Sequence, residues 1–465
     1  MLTIYFQSDI LTEVRILPDF YSKIFENKEV IVLKQIRRVL SLILALLLFL
    51  FSFSSCINSV SFPAVSDDLV EESTTNDTTK TSTEATTETT EEHSTESTTE
   101  EEVVTEKPTQ PIKVDSLYSL VTATGYKHNA VGIQVATIVD GKVHATAEYG
   151  WAVKDERALN SDTKIRIASL SKTAVGLVVF RLIEEGLIDL DTDISEYLGV
   201  EVKNPSYPDI PITLRHLLTH TSGLVTAGYT HSLSQLQEHL QKPSAYTKNK
   251  PGKVHVYNNF GYGIVGTICE LVTNKSLTTL TNEYFFIPMG IRAAYVPELL
   301  EPNEIAALYN EAHTLRRGVQ TQLNQLKYTE AAGAGMKLYA GGLTISATDF
   351  AKIITLFMND GVYDGVRYLS TESIELMQEV QLMRPSGVVG QGMPVLLRKN
   401  FYDGRTLNYH TGSAYGVYSL YAYDRSTKTG VVVITTGIKE QKDSYNIYAG
   451  CGDIARGVFV NNYVE

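Results

Sequence analysis

The pattern of apolar and polar residues predicts strands at both ends of the region 113–465 and helices between them. Residues Val131–Trp151 form two β-like runs joined by Asp140-Gly141, a dipeptide that favours the tight turn of a β-hairpin. The strand pattern returns near the C-terminus, in Leu407–His410, Gly416–Tyr423 and Gly430–Thr436. These runs predict one sheet that uses both ends of the region.

Helical spacing of apolar residues marks the stretch between these strands. One such run begins at Ser169 and continues to Gly186; a short helix is also expected at Val114–Val121 and a last helix from about Asp443 to Val460. Strands at both ends with helices between them predict an α+β fold. We expect an antiparallel sheet built from both termini of the domain, flanked by helices, with an inserted and mostly helical subdomain.

A short apolar segment lies far upstream of this region. Val39–Phe53 is almost unbroken Leu, Ile, Val and Phe, and three basic residues precede it, Lys34, Arg37 and Arg38. A membrane span needs about 20 apolar residues, so this shorter run favours the core of a signal peptide. We therefore predict that residues 1–56 are a leader with a signal peptide at 36–56.

The apolar run ends in Phe53-Ser-Ser-Cys56, which resembles a bacterial lipoprotein signal whose cysteine is lipidated. A retained signal anchor is the alternative. Because the basic residues precede the core, either reading places the rest of the chain at the extracellular face of a bacterial cell membrane, attached through its N-terminus.

Residues 57–112 are predicted to be a disordered linker, and 113–465 a single folded domain. Between Ser61 and Pro111 the chain is rich in Thr, Glu and Ser, with fourteen acidic residues against two lysines. This segment therefore carries nearly all of the chain's net charge of -13. Such a composition cannot bury a core, and the acidity argues nothing about the substrate of the domain.

Cysteine usage and charge exclude several classes of protein. The chain has three cysteines, Cys56, Cys269 and Cys451, without the paired spacings of a zinc site or a redox dithiol. Cys269 and Cys451 are expected to be small buried residues, and a disulfide between them is the minor alternative. No basic patch suggests nucleic acid, and no metal or other cofactor is predicted.

Ser169 and Lys172 form a Ser-x-x-Lys motif at the head of an apolar helical run. Residues three apart share a helix face, so an amine is expected beside a hydroxyl. A desolvated lysine can take the serine's proton, and a helix N-terminus favours developing negative charge. Ser161 and Lys164 have the same spacing but lie in a polar stretch, which is typical of a turn.

Two further groups of residues strengthen this hypothesis. Tyr257 and Asn259 stand two apart in a loop before a helix, where an extended backbone points both side chains the same way. Asn259 can hold a substrate amide, and Tyr257 can pass a proton to a leaving group if a nearby lysine favours its ionised form. In isolation, a turn tyrosine beside a helix cap is the simpler interpretation.

The second group is His410-Thr411-Gly412-Ser413 at the end of a predicted strand. Gly412 is expected to let a substrate backbone lie along the strand, and the N–H groups of Ser413 and Ser169 are expected to form an oxyanion hole. A Lys428-Thr-Gly430 sequence also occurs, but within a polar turn between two strands, so Lys428 should point into solvent.

Ser169-Leu-Ser-Lys172, Tyr257-Asn-Asn259 and His410-Thr-Gly412, in this order, resemble the three active-site motifs of the penicillin-recognising serine hydrolases. The branch they resemble contains class C β-lactamases, serine D-alanyl-D-alanine carboxypeptidases and related esterases. Supporting stretches are also similar, including Leu214–Leu224 and Gly341–Asp349.

The resemblance implies that Ser169 is acylated, Lys172 is its base and Tyr257 is the proton shuttle, with no cofactor. It makes Asn259, His410, Thr411 and Gly412 substrate contacts, and His216 and His220 structural residues. The implied substrates are D-alanyl groups of peptidoglycan or teichoic acid. The commoner third motif has lysine at the position of His410, and histidine is mostly neutral at pH 7. That departure argues against an efficient β-lactamase, which remains the alternative, together with a penicillin-binding sensor that never turns over.

Overall fold

A computed structural model of the chain describes residues 112–226 and 228–465. The predicted leader, the lipidation site at Cys56 and all but the last residue of the predicted linker lie outside the described residues. Within these residues, no helix is both long enough and apolar enough to span a membrane.

The described residues form helices and strands, most of them short and a few of them longer. The helices are α1 Leu117–His128, α2 Ser171–Glu184, α3 Ile194–Leu198, α4 Leu214–Leu218, α5 Leu233–Leu240, α6 Asn259–Thr273, α7 Leu277–Thr281, α8 Val319–Leu323, α9 Met336–Tyr339, α10 Ala347–Met358, α11 Thr371–Gln378 and α12 Ala449–Asn461. The strands are β1 Gly132–Val139, β2 Lys142–Val153, β3 Arg157–Ala158, β4 Ile165–Arg166, β5 Leu308–Tyr309, β6 Leu315–Arg317, β7 Thr344–Ile345, β8 Val362–Tyr363, β9 Val366–Arg367, β10 Leu382–Met383, β11 Val389–Gln391, β12 Leu396–Phe401, β13 Arg405–Ala414, β14 Val417–Asp424 and β15 Thr429–Thr436.

A nine-stranded antiparallel sheet joins the two ends of this region. Its strand order is β10-β11-β12-β13-β14-β15-β1-β2-β3, so β1 pairs with β15 from the far end of the chain. The hairpin β1–β2 turns at Asp140 and Gly141, which both have positive φ, as the dipeptide predicted. The α+β prediction and the sheet built from both termini are confirmed.

Helices cover both faces of the sheet. One face of β1, with Ile133 and Val135, packs on a core that includes α1 and α12. The other face, with Ala136 and Ile138, packs on the larger core formed by α2, α10 and the inserted helices. The first helix begins at Leu117, three residues later than predicted, because Ser116 caps it by accepting a hydrogen bond from the Ser119 N–H at 3.2 Å.

Two features of this fold create a site. The helix α2 is buried along most of its length, so the turn that precedes it is held firmly against the sheet. The strand β13 pairs with β12 only as far as Tyr409, whereas its pairing with β14 continues to Ala414. The last residues of β13 therefore lie beside that turn with one edge free of any described strand.

Candidate active site

Ser169 lies in a tight turn at the entrance to α2. Residues Ala168–Leu170 form one turn of 3₁₀-helix, and α2 follows from Ser171. Ala168 has φ of 51°, a left-handed conformation that costs a non-glycine residue about 1–3 kcal/mol. The Ser171 hydroxyl compensates by donating to the Ala168 carbonyl at 2.6 Å. Ser169 thus lies in the 3₁₀ turn just before the α-helix begins, in a strained segment that the Ser171 hydrogen bond supports.

Lys172 reaches the Ser169 hydroxyl, as the spacing predicted. Its Nζ lies 3.2 Å from Ser169 Oγ and donates to the Ala340 carbonyl at 2.5 Å. The side chain is fully buried, and among the described residues no carboxylate forms an ion pair with it. Burial therefore lowers the pKa of Lys172 well below its usual value, which favours the neutral amine that a general base requires.

Tyr257 approaches the same oxygen from another element. Its hydroxyl donates to Ser169 Oγ at 2.8 Å, and Lys172 Nζ lies 5.0 Å from the centre of its ring. Tyr257 keeps 37% of its surface exposed, yet desolvation raises its pKa to about 12 against the opposing effects of Ser169 and Arg384. The prediction of proton transfer by Tyr257 depends on a lysine that favours the ionised tyrosine. That condition is not met. In the free protein Tyr257 is a neutral donor.

His220 holds the Tyr257 loop in place. Its Nδ1 accepts a hydrogen bond from the Asn258 N–H at 3.1 Å, and its ring lies 4.3 Å from that of Tyr257, measured between centroids. Burial lowers the pKa of His220 well below its usual value, so the ring is a neutral acceptor. The structural role expected of His220 thus includes positioning a residue of the site. His216 accepts from the Thr213 N–H at 3.3 Å and completes the cap of α4.

Asn259 begins α6 and lines a pocket together with Ser169 and Ser413. Its Oδ1 is buried and has no hydrogen-bond partner among the described residues. A buried amide oxygen without a partner costs about 1–3 kcal/mol, and a substrate N–H would relieve that cost. This geometry supports the predicted role of Asn259 in holding a substrate amide.

His410 occupies β13 but turns its ring inward. The side chain is 3% exposed, and its Nδ1–H donates to the Thr411 carbonyl at 2.8 Å. Burial lowers the pKa of His410 to about 3, with a smaller contribution from the positive charge of Arg384. His410 is therefore neutral. Its Nε2 is buried and has no hydrogen-bond partner among the described residues, so a contact between the ring and substrate stays a prediction.

Gly412 is needed because two backbones approach each other. A Cβ at this position would lie 2.7 Å from the Ile167 carbonyl oxygen and 3.0 Å from the Ser169 nitrogen. The glycine thus admits the nucleophile turn, whereas the sequence suggested that it makes room for substrate. The same approach brings β13, with Thr411 and Ser413, alongside Ser169. The oxyanion hole of the Ser169 and Ser413 N–H groups stays a prediction.

The two competing motifs lie elsewhere. Lys164 Nζ forms a buried ion pair with Asp349 Oδ2 at 2.9 Å, so its role is structural. Lys428 is exposed in the turn between β14 and β15, as predicted, and donates to Asn359 Oδ1 at 3.2 Å. Cys269 and Cys451 are both buried and free, which confirms the interpretation as small buried residues.

Sequence reasoning missed the cations around the site. Arg384 follows β10 and donates to Gln391 Oε1 from Nε at 3.0 Å and from Nη2 at 2.7 Å. Arg166 and Lys337 line the pocket beside Ser169. None of these residues belongs to a motif, because each reaches the site from a different element. Within 112–226 and 228–465, no group of three or more His, Cys, Asp or Glu side chains is placed to hold a metal ion.

Comparison with known proteins agrees with this geometry. A family model described as Beta-lactamase matches residues 114–449. N-acetylmuramyl-L-alanine amidase of Bacillus subtilis (strain 168) is 24% identical over 317 residues, which cover 60% of this chain and 69% of that protein. The D-alanyl-D-alanine-carboxypeptidase/endopeptidase AmpH of Escherichia coli (strain K12) is 27% identical over 188 residues, 37% of this chain and 47% of that protein. The chain thus spans only part of these relatives' length.

The fold also has solved counterparts. The octameric penicillin-binding protein homologue from Pyrococcus abyssi superimposes with a TM-score of 0.59 at 21% identity, covering 74% of this chain and 76% of that one. This likeness shows a shared fold, and the family match extends over most of the described residues. The chain therefore belongs to the beta-lactamase/transpeptidase-like family of serine hydrolases, which has penicillin-binding proteins and D-Ala carboxypeptidases among its members.

Proposed function

We propose that this protein is a cell-surface serine hydrolase that acts through a Ser169 acyl-enzyme on D-alanyl groups of the cell envelope. The substrate is either the terminal D-Ala of a peptidoglycan stem peptide or a D-Ala ester of teichoic acid. One observation carries the proposal: Tyr257 OH at 2.8 Å and Lys172 Nζ at 3.2 Å converge on Ser169 Oγ. The names of the amidase and carboxypeptidase relatives support a substrate of this kind.

Acylation begins with neutral Lys172. Its lone pair accepts the Ser169 proton as Oγ attacks the carbonyl carbon of the substrate. The N–H groups of Ser169 and Ser413 stabilise the oxyanion that forms. When the bond to the leaving group breaks, Tyr257 donates its proton to that group and is reprotonated by the Lys172 ammonium.

Deacylation reverses these roles. A water molecule attacks the Ser169 ester and gives its proton to the paired Lys172 and Tyr257. The proton then returns to Ser169 Oγ as the acid product leaves, so the site is restored without any net change. Both steps use the same three side chains, which is why a single compact cluster suffices.

The location at the cell surface rests on the sequence. Val39–Phe53 and the basic residues before it favour export, and Cys56 or a retained anchor would attach the chain to the membrane. The two forms of attachment are tested by processing of the full-length chain in a bacterial host. Processing that globomycin and Cys56→Ala both block indicates a lipidated protein, and processing that neither affects indicates a retained signal anchor.

The nucleophile is tested by covalent labelling of the full-length protein with a fluorescent penicillin and with a fluorophosphonate. We expect Ser169→Ala to abolish labelling by both probes. The matched control is Ser161→Ala, which alters the other Ser-x-x-Lys sequence and should label like the wild type. Labelling that survives Ser169→Ala refutes the nucleophile.

The substrate is tested by incubating the wild type separately with a D-Ala-D-Ala peptide, D-alanylated teichoic acid and nitrocefin. Release of D-Ala from the peptide or the teichoic acid supports the proposal and decides between its two forms. Hydrolysis of nitrocefin alone would refute the proposal and identify a β-lactamase. Stable labelling without turnover of any of the three substrates would refute it and identify a penicillin-binding sensor.

A further inference from the structure

A pocket of about 320 Å³ opens beside Ser169 on the side of Asn259. Its lining includes Ser169, Asn259, Ser413 and Tyr415, but neither Tyr257 nor His410. In the proposed mechanism the leaving group takes its proton from Tyr257, so it lies on the Tyr257 side of the nucleophile. The pocket beside Asn259 therefore receives the other half of the substrate, the acyl group.

The charge of this pocket is uncompensated. Its lining contains Arg166 and Lys337, and no Asp or Glu is among the described residues that form it. Arg166 is only 9% exposed, and the two acceptors it uses are neutral. Its Nε donates to the Gly341 carbonyl at 2.7 Å and its Nη1 to Gln325 Oε1 at 3.3 Å. A buried guanidinium without a carboxylate is costly, and an anion would relieve that cost.

A second arginine lies behind the pocket wall. The guanidinium of Arg317 is 4.4 Å and that of Arg166 is 5.0 Å from the centre of the Tyr415 ring. Burial lowers the pKa of Arg166; Tyr415 and Tyr229 oppose this effect, and the nearby charge of Arg317 adds to it. Two like charges share one tyrosine, and within the described chain no acidic residue pairs with either of them.

Two of the three cations, Arg317 and Lys337, belong to 297–339, a stretch in which the sequence shows no motif. Gln325 and Lys337 of this segment line the pocket together with Arg166. A segment without catalytic residues can set the charge of a subsite while leaving the reacting groups unchanged.

We propose that this pocket is an acyl subsite that selects substrates whose acyl group carries a carboxylate. The proposal rests on the serine hydrolase function proposed above and selects its peptidoglycan form, because the acyl group of a teichoic acid D-Ala ester carries an ammonium and no carboxylate. The anion would lie between Lys337 and the Arg166–Tyr415–Arg317 stack. A neutral acyl chain would leave these cations unpaired, and a cationic chain would be repelled.

Three p-nitrophenyl esters of nearly equal length test this selection: the mono-adipate with a terminal carboxylate, the hexanoate with a methyl group and the 6-aminohexanoate with an ammonium. The measured quantity is the rate constant of the p-nitrophenolate burst, which requires acylation alone. We expect the adipate to react at least about tenfold faster per molar than the hexanoate, the effect of one hydrogen bond to a charged group. The aminohexanoate should be the slowest, and added salt should narrow the range.

Two substitutions locate the selection. Lys337→Gln and Arg317→Gln should each bring the adipate-to-hexanoate ratio toward one. Arg316→Gln is the matched control, because neighbouring residues of β6 point to opposite faces, and it should keep the wild-type ratio. The ratio is independent of the fraction of active protein, so a variant that folds poorly still reports on charge selection.

The outcomes separate this proposal from the one on which it rests. A wild-type ratio near one, or a ratio that both variants leave unchanged, overturns the acyl subsite even if D-alanyl substrates are hydrolysed. A high ratio that falls in the variants supports the subsite even if no D-alanyl substrate is turned over. If acylation is slower than deacylation, no burst appears, and the same ratio is read from steady-state release of p-nitrophenolate. Release from none of the esters overturns the acyl subsite, whereas the proposed function stands or falls on the D-Ala assay.

Discussion

The protonation state of Lys172 gives the sharpest prediction for this site. The amine is fully buried, and its hydrogen-bond partners are Ser169 Oγ and the Ala340 carbonyl. A hydroxyl, a carbonyl and the nearby rings of Tyr257 and Tyr262 cannot stabilise an ammonium as well as water does, and no carboxylate of the described residues pairs with it. The pKa is therefore lowered well below the usual value. Raising the pH should deprotonate Lys172 early and activate Ser169 at neutral pH.

The expected change in acylation rate with pH is judged against a lysine with an unshifted pKa. With a pKa of about 10.4, only about one amine in 2,500 would be neutral at pH 7, and acylation would rise about tenfold per pH unit up to pH 10. The total rise between pH 7 and pH 10 would be about 10³-fold. Because burial lowers the pKa of Lys172, we expect a much smaller rise over this range.

The assay is the second-order rate of acylation by a fluorescent penicillin between pH 5 and pH 10. Lys172→Arg, whose side chain remains charged at these pH values, should acylate about 10²–10⁴-fold more slowly than the wild type. Lys428→Gln, the lysine of the other Lys-Thr-Gly sequence, is the control and should acylate normally. A wild-type profile that keeps rising tenfold per unit to pH 10, or a Lys172→Arg variant of normal rate, refutes the reasoning.

Three further substitutions have defined outcomes. Tyr257→Phe removes the donor to Ser169 and should lower turnover about 10²–10⁴-fold; wild-type turnover in steady-state assays would contradict this. Gly412→Ala places a Cβ 3.0 Å from the Ser169 nitrogen, so labelling should slow and the free energy of unfolding should fall by about 1–3 kcal/mol in denaturant titrations. Asp349→Asn leaves Lys164 buried without its partner and should cost about 3–5 kcal/mol by the same titration.

The same carboxylate predicts how stability changes in acid. Burial by itself would raise the pKa of Asp349, but the positive charges and hydrogen bonds of Lys164 and Lys352 outweigh it, so the net pKa is lowered. A carboxyl whose folded pKa is lowered stabilises the protein above its unfolded pKa of about 3.9. This contribution is lost as the pH falls through the folded value. Acid titrations of the wild type should show the loss, and Asp349→Asn should lack it.

Local spacing accounts for the parts of the fold and site that the sequence predicted. Asp140-Gly141 specifies a tight turn, and the strands on either side of it pair as expected. Ser169 and Lys172 meet because three residues make nearly one turn of helix, whatever the helix packs against. The α+β arrangement follows in the same way from apolar periodicity, since that pattern decides which segments become strands or helices.

Contacts between distant segments decided the rest. Whether Lys172 is neutral depends on Ala340 and on the packing that excludes water, and no pattern around Lys172 reveals either. The burial of His410 and the support of Tyr257 by His220 likewise join residues far apart in the chain. The positive charge of the pocket likewise joins Arg166 with Lys337 from the segment 297–339. Periodicity thus set which elements form and which neighbours share a face, whereas the electrostatics of the site required the tertiary structure, because desolvation and charge depend on everything packed around a group.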